Sequence, residues 1–78
     1  MPRILFINGF RFFFFSNERG EPPHIHIAKG EGYAKYWIEP EIVLAENIRF
    51  KSHDLVEIRG IILEHQEELK EAWYGYFG

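Results

Sequence analysis

Residues 3–15 read RILFINGFRFFFF, two apolar runs on either side of Asn8 and Gly9. An Asn-Gly pair between apolar runs is the strongest short-range signal for a tight β-hairpin, because both residues tolerate the positive φ angles of the turn. We therefore predict two antiparallel strands, over residues 3–7 and 10–15. An antiparallel sheet is the expected start of the fold.

Three segments after this hairpin have the composition of short strands. They cover residues 24–29, residues 33–38 and, as a shorter fifth strand, residues 41–45. Clusters of glycine, proline and polar residues separate them, which is typical of turns between neighbouring strands. The sequence therefore predicts a four- to five-stranded, mostly antiparallel β-meander.

The hydrophobic period changes near residue 52. Ser52 suits the N-cap of a helix, and Asp54 places negative charge in the first turn. Apolar residues then recur at helical spacings, at Leu55, Ile58, Ile62, Leu69, Ala72 and Tyr76. This pattern predicts one long amphipathic helix over about residues 52–74. The expected fold is an α+β protein, with the C-terminal helix packed on one face of the meander.

The composition excludes several classes of protein. A chain of 78 residues predicts a single domain, and the lack of cysteine excludes disulfides and cysteine-ligated zinc. The net charge of −3 lacks the basic excess that is typical of free nucleic-acid binders. No segment approaches the ~20 apolar residues that span a bilayer. We expect a cytoplasmic protein that does not contact membranes.

His24 and His26 are the first candidates for a functional site. They lie two apart on a predicted strand, directly after Pro22-Pro23, so their side chains project from the same face. The prolines stiffen the approach to this strand. Imidazole transfers protons near neutral pH and binds metals, so the pair is a candidate site for either chemistry. The alternative interpretation is a half-buried strand with two exposed histidines.

The predicted strands are apolar on both faces, although the single predicted helix can cover only one. Phe12 and Phe14 face one way on the second strand, and Phe13 and Phe15 face the other. Large apolar surfaces without a cover usually mark interaction sites. The interface candidates are Phe13, Phe15, Tyr36 and Trp37. Either a second copy or a partner protein covers this face, or the fifth segment and the loops fold over it.

Several strings in the chain are similar to the hallmark of one bacterial family. They are GFRFFFFSNE (residues 9–18), EPPHIHI (residues 21–27) and AKYW (residues 34–37), with a helix that ends Glu71-Ala72-Trp73. By these strings the chain is identified as a member of the bacterial domain-of-unknown-function family 4160. The matching positions are Arg11, Pro22, Pro23, His24, His26, Lys35 and Trp37.

The resemblance implies a partner, and it supplies no catalytic assignment. The family has no known function, but its small members are often encoded beside a protein of the domain-of-unknown-function family 2442. Paired small genes of this kind suggest a toxin–antitoxin-like module. The resemblance therefore implies a small partner protein encoded nearby.

Three functions are open from the sequence. The first is a non-enzymatic interaction module, half of such a two-gene pair, which binds the partner or a second copy through the aromatic sheet face. The second is a toxin that acts on RNA, with His24, His26 and His65 as acid and base. In that mechanism Arg11, Arg19 or Lys35 stabilises the charge that develops on the phosphate.

The third function is a histidine metal site. His24 and His26 would supply two ligands, and the third would come from Glu21, His53 or His65. The first two functions need no cofactor, and none is expected.

Overall fold

The computed structural model describes residues 3–78, so the first two residues of the predicted domain lie outside the described range. A single five-stranded antiparallel sheet, with its strands in chain order, is followed by two helices. The elements are β1 (Arg3–Ile7), β2 (Phe10–Phe13), β3 (His24–Lys29), β4 (Gly32–Trp37), β5 (Val43–Ile48), α1 (Ser52–Glu64) and α2 (Gln66–Phe77). The predicted α+β meander is confirmed. No helix in the described residues is long and apolar enough to cross a membrane.

The predicted hairpin forms β1 and β2. Ile7 pairs with Phe10, and the two turn residues have φ angles of 54° at Asn8 and 83° at Gly9. Strand β2 ends at Phe13, two residues earlier than predicted, because the next N–H groups leave the ladder. The N–H of Phe15 instead donates to a carboxylate oxygen of Glu18 at 2.9 Å.

The fifth strand exists, but it covers residues 43–48 rather than 41–45. It pairs with β4 and forms the edge of the sheet. The register of this pairing shifts between Lys35 and Tyr36, where a β-bulge interrupts the ladder. All six residues of β5 are exposed.

The prediction of one long helix is wrong. The helix breaks at His65, whose backbone angles are φ −113° and ψ 18°, and a second helix begins at Gln66. A straight helix over residues 52–77 would be about 39 Å long, whereas the longest dimension of the molecule is 34 Å. The break lets the apolar stripes of both helices reach the same core. It falls in the gap between Ile62 and Leu69 that interrupts the predicted stripe.

The first helix also begins differently from the prediction. Lys51 is the N-cap residue and Ser52 is the first helical residue. The carboxylate of Asp54 accepts the N–H of Lys51 at 3.0 Å, so the acidic residue satisfies a backbone donor as well as complementing the helix dipole.

The core lies between the helices and one face of the sheet. It is built from Phe10, Phe12, Phe14, Ile25, Ile27, Ala34, Tyr36, Ile38, Phe50, Ile58, Ile61, Ile62, Leu69 and Trp73. The hydroxyl of Tyr36 donates to the carbonyl of Leu55 at 3.3 Å. We call the opposite side of the sheet, which carries Arg11, Phe13, His26, Tyr33, Lys35 and Trp37, the open face.

Substitution by alanine should have opposite effects on stability at Gly32 and Gly60. A Cβ at Gly32 would lie 2.3 Å from the ring of Phe50, whereas a Cβ at Gly60 meets nothing within 4 Å. We expect Gly32→Ala to destabilise the fold by about 1–3 kcal/mol through overpacking. Gly60→Ala, in the exposed interior of α1, should stabilise it by roughly 1 kcal/mol. Urea denaturation of both variants checks this, and equal effects would contradict it.

Candidate functional site

The two histidines lie on the same face of β3, as predicted. His24 pairs with Trp37, and His26 lies between Phe13 of β2 and Lys35 of β4. Both imidazoles are buried, with exposed fractions of 0% for His24 and 4% for His26. They are therefore not the exposed surface histidines of the alternative interpretation.

A glutamate from the loop between β2 and β3 lies between the two imidazoles and helps to bury them. This loop, residues 14–23, folds over part of the open face and places Glu18 between the two rings, where it is itself only 8% exposed. One Glu18 oxygen, Oε2, lies 2.7 Å from Nε2 of His24 and 2.7 Å from Nε2 of His26. The other oxygen accepts the N–H of Phe15. We call Glu18, His24 and His26 the Glu-His-His cluster.

Both imidazoles use their second nitrogen for a partner outside the cluster. Nδ1 of His24 donates to the carbonyl oxygen of Pro22 at 2.9 Å. Nδ1 of His26 lies 2.7 Å from the hydroxyl of Tyr33. Among the described residues, every buried side-chain nitrogen and oxygen has a hydrogen-bond partner. The orientation of each ring is thus fixed from both ends.

The partners also assign the protons of the cluster. A carbonyl only accepts, so Nδ1 of His24 carries a proton. His26 needs one proton, on Nε2, because its Nδ1 can accept the Tyr33 hydroxyl. The hydrogen bonds thus place a proton on Nδ1 of His24 and on Nε2 of His26.

Aromatic rings surround the cluster and exclude water from it. The rings are Phe13, Phe15, Tyr33, Trp37 and Trp73. His26 stacks on Phe13 with centroids 5.5 Å apart, and His24 packs against Trp73 of α2 at 4.8 Å. A low local dielectric strengthens the interactions within the cluster and makes an unpaired charge there costly.

Burial and hydrogen bonding shift the pKa values of two of the three cluster residues, Glu18 and His26. Burial alone would raise the pKa of Glu18, but the hydrogen bonds from His24, His26 and the Phe15 N–H outweigh it and lower that pKa. Burial lowers the pKa of His26, and the hydrogen bond to Glu18 offsets this only in part. Both shifts favour the ionised carboxylate beside a neutral His26.

Acid should therefore destabilise the metal-free protein in two stages. As the pH falls below 6.5, the ordinary value for histidine, an unfolded chain protonates His26 before the folded protein does. The unfolded state then binds more protons than the folded state, so the free energy of unfolding decreases as the pH falls. Below 4.5, the ordinary value for glutamate, Glu18 adds a second loss of the same sign. Urea midpoints from about pH 8 to about pH 4 check this, and a flat profile would contradict it.

The other predicted catalytic residues lie at different distances from the cluster. Lys35 pairs with His26 across the sheet, with Nζ 3.7 Å from the carboxylate of Glu21 and 4.5 Å from the ring centre of Trp37. Arg11 is exposed, on the same face but opposite Ala28 rather than His26. His65 lies at the junction of the helices, 3.1 Å from Glu68, and is not a member of the cluster.

The sequence interpretation missed Glu18 as the third member. It named Glu21, His53 and His65 instead, and the structure places none of these between the two rings. The carboxylate of Glu21 lies 4.0 Å from Nδ1 of His24, on the far side of the ring. Glu18 stands in a turn segment that has no periodicity, and the one sequence signal that contains it is the family-like string of residues 9–18, which it ends.

The predicted interface residues do not share one face. Phe13, Phe15 and Trp37 belong to the open side, where Phe15 is exposed and Trp37 half-buried. Tyr36 is buried in the core under α1 and is not available to a partner. The reason is the alternation of a strand, which sends neighbouring side chains to opposite faces. The sequence also missed the exposed apolar residues of β5.

The sequence of the chain matches one known family. The family is described as Domain of unknown function (DUF4160), and its model matches residues 9–74. These residues include all of β2 to β5 and the whole Glu-His-His cluster. No curated protein and no solved structure matches the chain. Since the match covers most of its length, the chain belongs to the DUF4160 family.

Proposed function

We propose that this protein is a non-enzymatic interaction module, half of a two-gene pair, that binds a small partner protein at strand β5. One observation carries the proposal. Strand β5 is a sheet edge with exposed apolar side chains, with exposed fractions of 48% for Val43, 40% for Leu44 and 46% for Ile48. An exposed apolar edge strand is a template for the addition of a further strand.

The bulge between β4 and β5 supports a particular geometry for the partner. Val43 pairs with Trp37 and Ile48 pairs with Tyr33, so both side chains lie on the open face although they are five residues apart. These two side chains extend the apolar part of the open face to the edge of the sheet. A strand added to β5 would hydrogen-bond to its backbone and pack apolar side chains beside Val43 and Ile48.

The charges near this edge favour a different chain over a second copy. Glu41 and Glu46 are exposed in and beside β5, and the whole chain has a net charge of −3. In a two-fold dimer through β5, the two copies of Glu46 would lie close together, and like charges across strands are destabilising. We therefore propose a partner strand that carries lysine or arginine opposite these carboxylates.

The ribonuclease alternative has less support. A general acid or base must come within hydrogen-bond reach of the substrate. His24 and His26 are buried, and all four of their ring nitrogens already have protein partners.

Co-expression with the protein encoded beside this chain tests the proposal. Sizing chromatography with light scattering should give one complex, and Val43→Lys or Ile48→Lys should weaken it at least about tenfold. Val56→Lys, at an exposed position of α1, is the matched control and should leave the complex unchanged. Separate elution of the two proteins, or a dimer of this chain alone, would overturn the proposal.

A growth assay tests the two-gene part of the proposal separately. Cells that express this chain alone are compared with cells that also express its neighbour. Arrest that the neighbour rescues, or arrest by the neighbour that this chain rescues, would support a toxin–antitoxin-like pair. Normal growth in all combinations would count against that role and would leave the physical complex to be judged by chromatography.

A further inference from the structure

We propose that Glu18, His24 and His26 form a binding site for a divalent first-row transition metal ion. One ligand atom from each residue lies within 4.8 Å of the other two, and all three residues are buried. Two imidazoles and one carboxylate are a ligand set that occurs in zinc sites with an open coordination position, and in non-haem iron sites. The site goes beyond partner binding and does not depend on it.

The hydrogen bonds outside the cluster prepare both histidines for a metal. Histidine ligands almost always donate their other ring N–H to a carbonyl, carboxylate or water, which fixes the tautomer. Here the carbonyl of Pro22 holds the Nδ1 proton of His24. The hydroxyl of Tyr33 beside Nδ1 of His26 can accept a proton from that nitrogen once a metal occupies Nε2. Both Nε2 atoms point into the cluster, and they would bind an ion with release of any proton they carry.

The carboxylate is oriented in the same way. Oε1 of Glu18 accepts the N–H of Phe15 at 2.9 Å, which leaves Oε2 for the centre of the cluster. All three ligands thus have an outer partner. A plain pair of surface histidines beside a glutamate would not have this complete outer set of hydrogen bonds.

The placement of the ligands on the fold suits a metal that enters after folding. His24 and His26 are held by a strand paired on both sides, whereas Glu18 comes from a loop. Zinc bonds to these ligands are about 2.0–2.2 Å long, so an ion between the 2.7 Å contacts requires the carboxylate to move outward. The loop can supply that movement while the strand keeps the two nitrogens in place.

Equilibrium dialysis of metal-free protein against Zn²⁺ tests the site, with bound metal counted by mass spectrometry. We expect about one equivalent per chain, and a tetrahedral or five-coordinate visible spectrum when Co²⁺ replaces Zn²⁺. Glu18→Gln and His26→Gln should each lose at least about tenfold in affinity. Tyr33→Phe should lose less, because it removes only an outer partner.

His53→Ala is the matched control, because His53 is an exposed histidine outside the cluster. It should bind metal like the original protein. Circular dichroism identifies any variant that does not fold, and the wild-type stoichiometry decides the question in that case. Less than about one-tenth of an equivalent in the wild-type protein, or a loss of binding in His53→Ala but not in Glu18→Gln, would overturn the proposal.

Discussion

Replacing Glu18 with alanine should destabilise the metal-free protein by about 3–5 kcal/mol. The carboxylate accepts a 2.7 Å hydrogen bond from each of two buried histidines. Without it, Nε2 of His24 and Nε2 of His26 would both lack a partner inside a ring of aromatic side chains. Small domains have total stabilities near the low end of about 5–15 kcal/mol, so the variant should be largely unfolded at physiological temperature. Urea denaturation at neutral pH measures the loss.

Two controls separate this effect from a general loss of negative charge. Glu18→Gln keeps the shape and lets the amide donate to neutral histidines, so it should cost much less than alanine. Glu21→Ala removes an exposed carboxylate three residues along, whose contact with Lys35 is 3.7 Å, and should cost no more than about 1 kcal/mol. An equal cost for Glu18→Ala and Glu21→Ala would show that the cluster does not stabilise the fold.

Replacing Trp73 with alanine should cost about 3–5 kcal/mol, by loss of burial and creation of a cavity. Trp73 packs the second helix against the hydrophobic core and against the Glu-His-His cluster. Its ring lies 5.4 Å from Phe14, 4.3 Å from Phe77 and 4.8 Å from His24. The variant should therefore loosen α2 and admit water to the cluster. Denaturation measures the loss of stability, and faster hydrogen exchange in α2 than in β3 shows that α2 has loosened.

The next residue supplies the control for Trp73. Trp73 is 4% exposed, whereas Tyr74 on the same helix is 50% exposed and donates a hydrogen bond to the carboxylate of Glu39. Tyr74→Ala removes an aromatic ring of similar size but should cost about 1 kcal/mol or less. Similar losses for both variants would show that α2 contributes by helix propensity rather than by packing on the sheet.

The predictions that the structure confirmed depend on neighbouring residues. The hairpin at Asn8 and Gly9 follows from the φ angles that these residues tolerate, and the shared face of His24 and His26 follows from strand alternation. The shift of β5 to residues 43–48 was less predictable, because its pairing depends on a bulge opposite β4. Neither propensity nor periodicity fixes where a register slips.

The helix shows the limit of periodicity. The apolar stripe on each side of His65 is helical in spacing, so the sequence favours a continuous helix over both. Whether the chain bends there depends on the dimensions of the folded molecule, whose longest is 34 Å, and no short stretch of sequence contains that information. The same limit applies to Tyr36, because alternation alone does not say which face of the sheet the helices cover.

The sequence by itself determined the strands, the hairpin, the paired histidines on one face and the family of the chain. The tertiary structure decided what those histidines contact. Glu18 lies six residues before His24 in a turn of no regular period, and it meets both rings only because the loop folds back over the open face. The contact depends on the path of the chain through space, and the surrounding aromatic rings bury the carboxylate together with both imidazoles.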